Sequence, residues 1–298
     1  MDKKPEITYV IVTWNNEKEI EDCINSVRDN TDLGFEIIVL DNNSSDRTAE
    51  IIEKNFPEVN LIKSQENLGF AQGNNVALSQ VNSEYVCFLN PDTILIENIA
   101  VPSIEKLKEN HKIGIVGCRL CNADRTWQQS CFKYAHGIEL FLEIMHLSRL
   151  FQPYNNGNRN IYPDWIIGAE MIMRTSEAKR VGGFSTEYYM YTEDMDLCKK
   201  VQVVLKKRVY FIAEKSLIHL GGASEIQNVS YDKQLKMTQG KMLFNEKYYG
   251  LDSRRKAKIW MLMGYRLRSA MVKLLYWRND RCIQIKKNMN AIKCILET

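Results

Sequence analysis

The stretch FEIIVLDNNSSD, residues 35–46, decides the fold. Its first six residues are nearly all apolar and partly β-branched, the pattern of a strand buried on both faces. The next six are small and polar, and Ser44, Ser45 and Asp46 can cap a helix running through Lys54. The same unit recurs on both sides. Upstream, Ile7–Val12 ends in Thr13-Trp14-Asn15-Asn16, and Ile20, Cys23, Ile24 and Val27 then fall at helical spacing. Downstream, Val59–Ile62 and Tyr85–Leu89 read as strands around a helical pattern at Ala71–Gln80, and Ile113–Cys118 reads as a further strand. Strands alternating with helices predict an α/β fold with a doubly wound, mostly parallel central sheet. Such sheets bind ligands beyond the carboxyl ends of their strands.

Between Leu120 and Pro163 the periodicity lapses, except for a helical stretch around Ile138–Leu150. Residues 152–160 have the composition of a loop. Order returns with Trp165–Arg174 and with a helix end and a strand in Lys199–Ile212.

The chain has 298 residues, 45% apolar and 26% charged, which excludes a disordered or fibrous protein. Its net charge of +3 hides an asymmetry. Residues 251–298 hold 12 Lys/Arg against 3 Asp/Glu, so a net +9 tail follows a body of −6. We therefore divide the chain into a main domain, 1–245, and a basic helical tail, 246–298. Within the main domain we separate a first half, 1–120, from a second, 120–225. No secretory signal and no apolar run of membrane-spanning length is present. The eight cysteines are scattered, with several in apolar runs, the pattern of reduced thiols in a cytoplasmic protein. Cys118-Arg-Leu-Cys121 lacks the second ligand pair of a zinc site. A charge balance this even gives no reason to expect nucleic acid as a partner.

Each early strand ends in a polar cluster: 13–16, 41–46, 67–75 and 90–93. Any one alone is an ordinary capped turn. Four on one sheet edge make a binding site, with Thr13, Asn15, Asp41, Asn43, Asn67, Gly69, Asn74 and Asn90 as its candidates. Asp41 is suited to accept the N3–H of uracil or thymine, and glycines and small amides at 69–75 let backbone approach a ligand closely. Asp92, after Pro91, suits Mg²⁺ or Mn²⁺, hard ions that take oxygen ligands and bridge to phosphates. There is no GxxxxGK[ST] and no GxGxxG. Further on, Glu193, Asp194 and Asp196 crowd three carboxylates into four residues, an arrangement that raises a pKa or demands partners. His219 precedes Gly221-Gly222.

In order, DNNSSD, NLGFAQGNN, NPDT, WIIGAEMIMR, GGF, TEDMDL and HLGGAS make residues 5–225 resemble the family 2 inverting glycosyltransferases of the GT-A fold, especially the bacterial rhamnosyltransferase-like branch. The resemblance implies that 1–120 is a nucleotide-binding half, with Thr13, Asp41 and Asn43 lining the base and ribose of a nucleotide sugar, and that 120–225 is an acceptor and catalytic half. It implies that Asp92 is the metal-binding carboxylate, with His219 as a further metal or diphosphate ligand. Asp194 would be the catalytic base, supported by Glu193. Asn90 stands where the family's DxD motif has its first aspartate, which leaves one carboxylate for the ion. The expected function is sugar transfer with inversion from a nucleoside-diphosphate sugar, dTDP-L-rhamnose by resemblance, to a glycan or lipid-linked acceptor in surface polysaccharide synthesis. A UDP-hexose donor, a catalytically inactive nucleotide-sugar-binding protein and a sugar nucleotidyltransferase are the alternatives. The last would want a Gly-rich, basic loop after the first strand, which 13–16 is not.

The tail mixes basic residues with large apolar ones. On a helix, Trp260, Met263, Leu267, Met271 and Leu274 form an apolar stripe, and Arg255, Lys258, Arg266, Ser269 and Lys273 a polar one. Contact with the inner face of the cell membrane, packing on the protein and a homodimer contact all remain open for such a helix.

Overall fold

The computed structural model describes residues 4–152, 157–188, 190–221 and 230–275, with Met289 and Ile292. The chain forms two compact units: residues 1–132 with 155–227, and residues 133–154 with 228–298. The second unit thus includes 133–154 and resumes at 228, ahead of the boundary that charge alone suggests at 246.

In the first unit, β1 (Ile7–Thr13), β2 (Phe35–Asp41), β3 (Asn60–Lys63) and β4 (Tyr85–Leu89) are joined through α1 (Ile20–Asp29), α2 (Thr48–Asn55) and α3 (Gly69–Gln80). Then come β5 (Thr93–Leu95), α4 (Ala100–Glu109), β6 (Ile113–Cys121) and β7 (Cys131–Phe132). After the excursion into the second unit, β8 (Trp165–Ile166), β9 (Glu170–Arg174), α6 (Thr175–Arg180), α7 (Glu193–Val204) and β10 (Arg208–His219) complete it. The large sheet has eight strands in the order β3-β2-β1-β4-β9-β6-β10-β5. The β3-β2, β2-β1, β1-β4 and β6-β10 pairs are parallel, as expected of βαβ units. β9 runs antiparallel to both its neighbours, and β5 antiparallel to β10.

Alternation along β1 shows how the sheet is covered. Ile7, Tyr9 and Ile11 enter a core with α1 and α4, whereas Val10 and Val12 enter one with α3 and α7. All seven β1 residues are buried, which is why the strand reads as a continuous apolar run. Gly73 serves this packing: a Cβ there would lie 3.0 Å from Val12 and 3.3 Å from Leu40, so α3 sits directly on β1 and β2. Sequence reading assigns Gly73 to ligand approach, but its space is taken by these two side chains.

The second unit contains α5 (Ile138–Ile144), α8 (Ser230–Tyr249) and α9 (Leu251–Leu275). Its core comprises Leu140, Ala257, Met261, Tyr265, Met289 and Ile292. The expected apolar stripe on α9 is not the buried one. The inward face carries Ala257, Met261 and Tyr265, and α9 meets α5 so closely at Gly264 that a Cβ there would lie 3.0 Å from the Ile144 side chain. Next to it, Arg268 donates to the Ile144 carbonyl at 3.0 Å. Met263, Leu267 and Met271 of the stripe face outward with Ile259, each between 42 and 55% exposed, and Trp260 packs edge-on against Phe141. The side chains of Lys273 and Leu274 lie outside the described residues, as do Cys282 and Cys294.

Six cysteines, including Cys118 and Cys121, are buried and unpaired in the described residues. Burial pushes the Cys87 and Cys118 thiols well above their ordinary range, so both stay protonated and inert. Between them lies a less usual group. Glu170 at the start of β9 is 2% exposed, accepts the Cys118 N–H at 2.7 Å, and has no partner for Oε1 among the described residues. Burial raises its pKa from 4.5 to about 8, so it is a neutral carboxylic acid in the fold. A folded-state pKa above the unfolded one stabilises the fold below about pH 4.5 and loses that contribution as pH rises through 8. The unfolding free energy of wild type should therefore fall between pH 5 and 8 relative to Glu170→Gln, by up to about 1.4 kcal/mol per pH unit, and its thermal midpoint should fall with it. Parallel pH profiles for the two proteins would contradict a protonated Glu170.

Candidate active site

The polar strand ends meet along one edge of the eight-stranded sheet. At the end of β1, Thr13 Oγ1 donates to Asn16 Oδ1 at 3.2 Å, and the buried Asn16 also accepts the Trp14 N–H. Asn15 takes a left-handed φ of 55°, which asparagine tolerates. Its Oδ1 accepts the Ser45 N–H at 2.8 Å and its N–H donates to Ser44 Oγ, so it ties the first strand-end loop to the second. Asn43, with φ of 61°, is exposed.

Asp41 ends β2 and is 4% exposed. Its Oδ2 accepts the Ser44 N–H at 3.3 Å, while Oδ1 has no partner among the described residues. A buried acceptor left open at a strand end awaits a donor from elsewhere. Asn67 proves to be scaffold. Its Oδ1 accepts from Asn42 Nδ2 and from the Gly69 N–H, both at 2.9 Å, and Asn42 Oδ1 in turn accepts the Leu68 N–H. Gly69 opens α3 with φ of 77°. Asn74 is buried and bonds back to the Phe70 carbonyl, while its neighbour Asn75 grips both backbone groups of Phe184 at 2.8 Å.

β4 delivers Asn90, Pro91 and Asp92. Thr93 closes the turn through its side-chain bond to the Asn90 carbonyl at 2.7 Å. The antiparallel β5–β10 pair then sets His219 opposite Thr93. His219 Nε2 consequently lies 3.4 Å from Asp92 Oδ1 and 3.4 Å from Asn90 Nδ2. Asn90 Oδ1 is buried with no partner among the described residues. The Asp92 carboxylate and the imidazole nitrogen are oxygen and nitrogen donors fit for one hard divalent ion. The spacing of Asp92 and His219 suits two ligands of one ion. No cluster of three His, Cys, Asp or Glu residues stands among the described residues, so such an ion would need ligands from a bound molecule.

Across the same edge, Asn90 N–H donates to the Ala169 carbonyl at 2.9 Å. One residue earlier, Gly168 N–H donates to Asp194 Oδ2 at 3.0 Å, and the Met195 N–H holds Oδ1 at 2.7 Å. Gly168 is as small as it must be, because a Cβ there would sit 3.3 Å from Asp194 and 3.5 Å from the Phe70 ring. Asp194 opens α7 together with Glu193 and Asp196. Burial raises the pKa of both Glu193 and Asp194, and the Asp194 charge adds to the rise at Glu193. Glu193 is 6% exposed and its Oε2 accepts the Thr192 N–H. Asp196 is fully buried, bound to Ser185 Oγ at 2.5 Å and Tyr188 OH at 3.1 Å, so it braces the loop before α7. The structure thus brings Asp41, Asn90, Asp92, His219 and Asp194 to one edge and assigns Asn15 and Asn67 to holding its loops together. Phe70 and Gly168 are not singled out by sequence, although both lie within quoted motifs.

The fold is an α/β sheet whose strand ends gather two separate carboxylates, Asp92 and Asp194, on one edge. Comparison with known proteins identifies it. Residues 8–175 match the family described as Glycosyl transferase family 2, and the chain belongs to that family. It is 24% identical over 222 residues to the rhamnosyltransferase WbbL of Escherichia coli K12, a match covering 72% of this chain and 83% of that protein. Other curated relatives match over shorter stretches, and the chain spans only 21 to 31% of their length. Among solved structures, Staphylococcus aureus TarS 1-349 with UDP-GlcNAc aligns at a TM-score of 0.53 and 18% identity, covering 98% of this chain and 89% of that one. The mannosyltransferase PcManGT of Pyrobaculum calidifontis, solved with GDP-Man and Mn²⁺, aligns at 0.59 and 14% identity, covering 99% and 87%. The protein is a glycosyltransferase with the GT-A type of fold.

Proposed function

We propose that the protein transfers a sugar, with inversion, from a nucleoside-diphosphate sugar to a hydroxyl of a glycan or lipid-linked saccharide in surface polysaccharide synthesis. One observation carries this. The Asn90–Ala169 hydrogen bond at 2.9 Å holds the Asp92–His219 pair beside Gly168, whose N–H clamps Asp194. An ion-binding pair and a carboxylate base thereby share one edge, which is what displacement of a diphosphate by an alcohol requires.

In this reading Asp41 accepts the N3–H of a pyrimidine base, with Thr13 and Asn43 beside it, and its buried, open Oδ1 supports the assignment. Asp92 and His219 would hold Mg²⁺ or Mn²⁺ through the donor diphosphate. Such an ion, when bound, neutralises charge on the leaving diphosphate. Asp194 takes the acceptor proton as the hydroxyl oxygen bonds to the anomeric carbon and the bond to the diphosphate oxygen breaks. Each Asp194 oxygen already accepts one N–H and keeps a lone pair for that proton. Its raised pKa makes it a stronger base than an exposed aspartate, which favours an active enzyme over a binding protein.

Asp194→Asn should reduce turnover by about 10²–10⁴ with donor affinity near wild type. Because the base must be ionised, activity should fall with acidification along a limb displaced above the ordinary aspartate range toward neutrality. A crippled Glu193→Gln beside a mild Asp194→Asn would move the role by one residue.

The donor is dTDP-L-rhamnose, supported by similarity to a protein named a rhamnosyltransferase; a UDP-hexose is the second reading, favoured by the UDP-GlcNAc complex of TarS. Calorimetric titration with both donors decides between them by which binds more tightly. In the same preparations, excess EDTA and Asp92→Ala should each remove most turnover, and full activity in EDTA would exclude the ion.

α9 supports a further partner. Ile259, Met263, Leu267 and Met271 recur every fourth residue on its exposed face, with exposed Arg255, Lys256 and Arg266 beside them. This is the composition of a helix lying in an anionic membrane interface, where each basic residue contributes about 1 kcal/mol. No helix among the described residues is long and apolar enough to cross a membrane. The full chain should float with anionic vesicles, less so at high salt. Ile259→Gln with Leu267→Gln, which leaves Ala257, Met261 and Tyr265 in the core, should abolish flotation. Wild type remaining at the bottom of the gradient would end this reading and leave self-association to be measured.

A further inference from the structure

The segment after β6 carries no motif, yet it reaches the site. Cys121 forms an isolated bridge with Trp127, Asn122 N–H bonds the Thr126 carbonyl at 2.8 Å, and Arg125 turns the chain with φ of 64°. Gln128 N–H then returns to the Leu120 carbonyl at 2.9 Å. This tight hairpin aims the Gln128 amide at His219. Its Oε1 lies 2.7 Å from His219 Nδ1, and its Nε2 lies 3.3 Å from the His219 backbone carbonyl and 3.2 Å from Asn122 Oδ1.

These contacts leave the amide one orientation. A backbone carbonyl only accepts, so the group facing it must be the NH₂, and the oxygen must face Nδ1. An amide oxygen only accepts in turn, so Nδ1 carries the hydrogen. In the neutral imidazole Nε2 then has the lone pair, and that nitrogen is the one 3.4 Å from Asp92 Oδ1 and 3.4 Å from Asn90 Nδ2. A donor from Asn90 agrees with this tautomer. A lone pair set beside a carboxylate oxygen is repulsive unless a cation lies between them.

We infer that Gln128 is a positioning residue, which holds His219 in the Nδ1–H tautomer and turns its Nε2 lone pair toward Asp92. The inference rests on the proposed role of His219 as a ligand of the ion or diphosphate. Histidines that bind metals are commonly oriented by an acceptor on the other ring nitrogen, and loss of that acceptor typically costs about 10–100-fold in metal affinity. Gln128 does this from the stretch between Leu120 and Pro163, where the sequence offers no motif. It also ties His219 to the hairpin at two points, ring and backbone, so neither the imidazole plane nor the strand end can rotate alone.

The test uses the full chain labelled with ¹⁵N in its histidine rings, without metal or nucleotide, and assigns His219 by its loss in His219→Gln. At a pH alkaline enough for neutral imidazoles, the wild-type His219 ring should carry its hydrogen on Nδ1 and not on Nε2. Gln128→Leu, of similar volume, should release this preference, whereas Gln128→Glu, which keeps an acceptor facing Nδ1, should retain it. Mn²⁺ titrated in the presence of UDP or dTDP should bind about 10–100-fold more weakly to Gln128→Leu. Thermal midpoints of all variants report whether they fold, and the Glu variant carries the test if the Leu variant does not. A wild-type His219 protonated at Nε2, or a folded Gln128→Leu with the tautomer unchanged, overturns the inference. If the tautomer responds as stated while Asp92→Ala and wild type bind Mn²⁺ equally, the role of Gln128 stands and the ion site falls.

Discussion

The structure depends on one reversal, β9 inserted antiparallel between β4 and β6. Its register pairs Glu170 with Leu89, so the residue before Glu170 must lie beside the residue after Leu89. The Asn90–Ala169 hydrogen bond follows from that register, and so does the place of Gly168, the anchor of Asp194. A slip of one residue would reverse every β9 side chain and withdraw Gly168 from α7. It would also carry Met171 and Ile172 to the wrong cores, which they now fill at 0% exposure. Two large hydrophobic faces thus enforce the position of a small polar site.

Much of this is legible in the sequence because burial leaves a periodic trace. The first four strands and three helices follow from apolar runs and helical spacing, with bounds off by a few residues where polar ends join strands, as at Thr13 and Asp41. β5 and α4 leave weaker traces: β5 has three residues, and in α4 the apolar Ile104 and Leu107 stand among charges. The strand-end clusters announce a site but not the division of labour within it. Asn15, Asn67 and Asn75 make bonds to residues 30, 25 and 109 positions away, and Gln128 reaches across 91. Such contacts have no period and no fixed spacing, so only the fold reveals them. In α9 the failure has another cause. The inward face is set by the close approach of α5 at Gly264, which helical spacing alone does not reveal, and it carries Ala257, Met261 and Tyr265 in place of Met263, Leu267 and Met271.

The amides of the site edge illustrate how few polar atoms remain for a ligand. An asparagine offers two donors and two lone pairs, and most of those along these loops are already used to fix backbone N–H groups. Each such bond contributes about 1 kcal/mol net, and leaving the backbone group unmet would cost more. The loops therefore arrive preorganised. What they leave open is specific: Asp41 Oδ1 at one end and Asn90 Oδ1 at the other, both buried acceptors without a partner among the described residues. Acceptors sheltered from water gain more from a ligand donor or cation than exposed ones would, since no solvent bond is lost in exchange.

The carboxylates of the site differ in what surrounds them, and that difference separates their proposed roles. Asp92 faces an imidazole nitrogen, a neighbour with which it can share a cation. Asp194 sits on two backbone N–H groups beside Phe70, where burial works against its charge. Those N–H bonds keep its oxygens oriented, and burial keeps its affinity for a proton above that of an exposed aspartate. Glu193 is buried more deeply, and its Oε2 is occupied by the Thr192 N–H adjoining it in sequence. An acceptor hydroxyl must reach the base, and depth counts against Glu193. Asp196, although it completes the acidic run, is bound by a serine and a tyrosine hydroxyl and braces the loop that carries Asp194's helix to the edge. Three carboxylates in four residues thus divide into a buried neighbour, the proposed base at the rim and a structural anchor, because the helix points them in three directions from one turn.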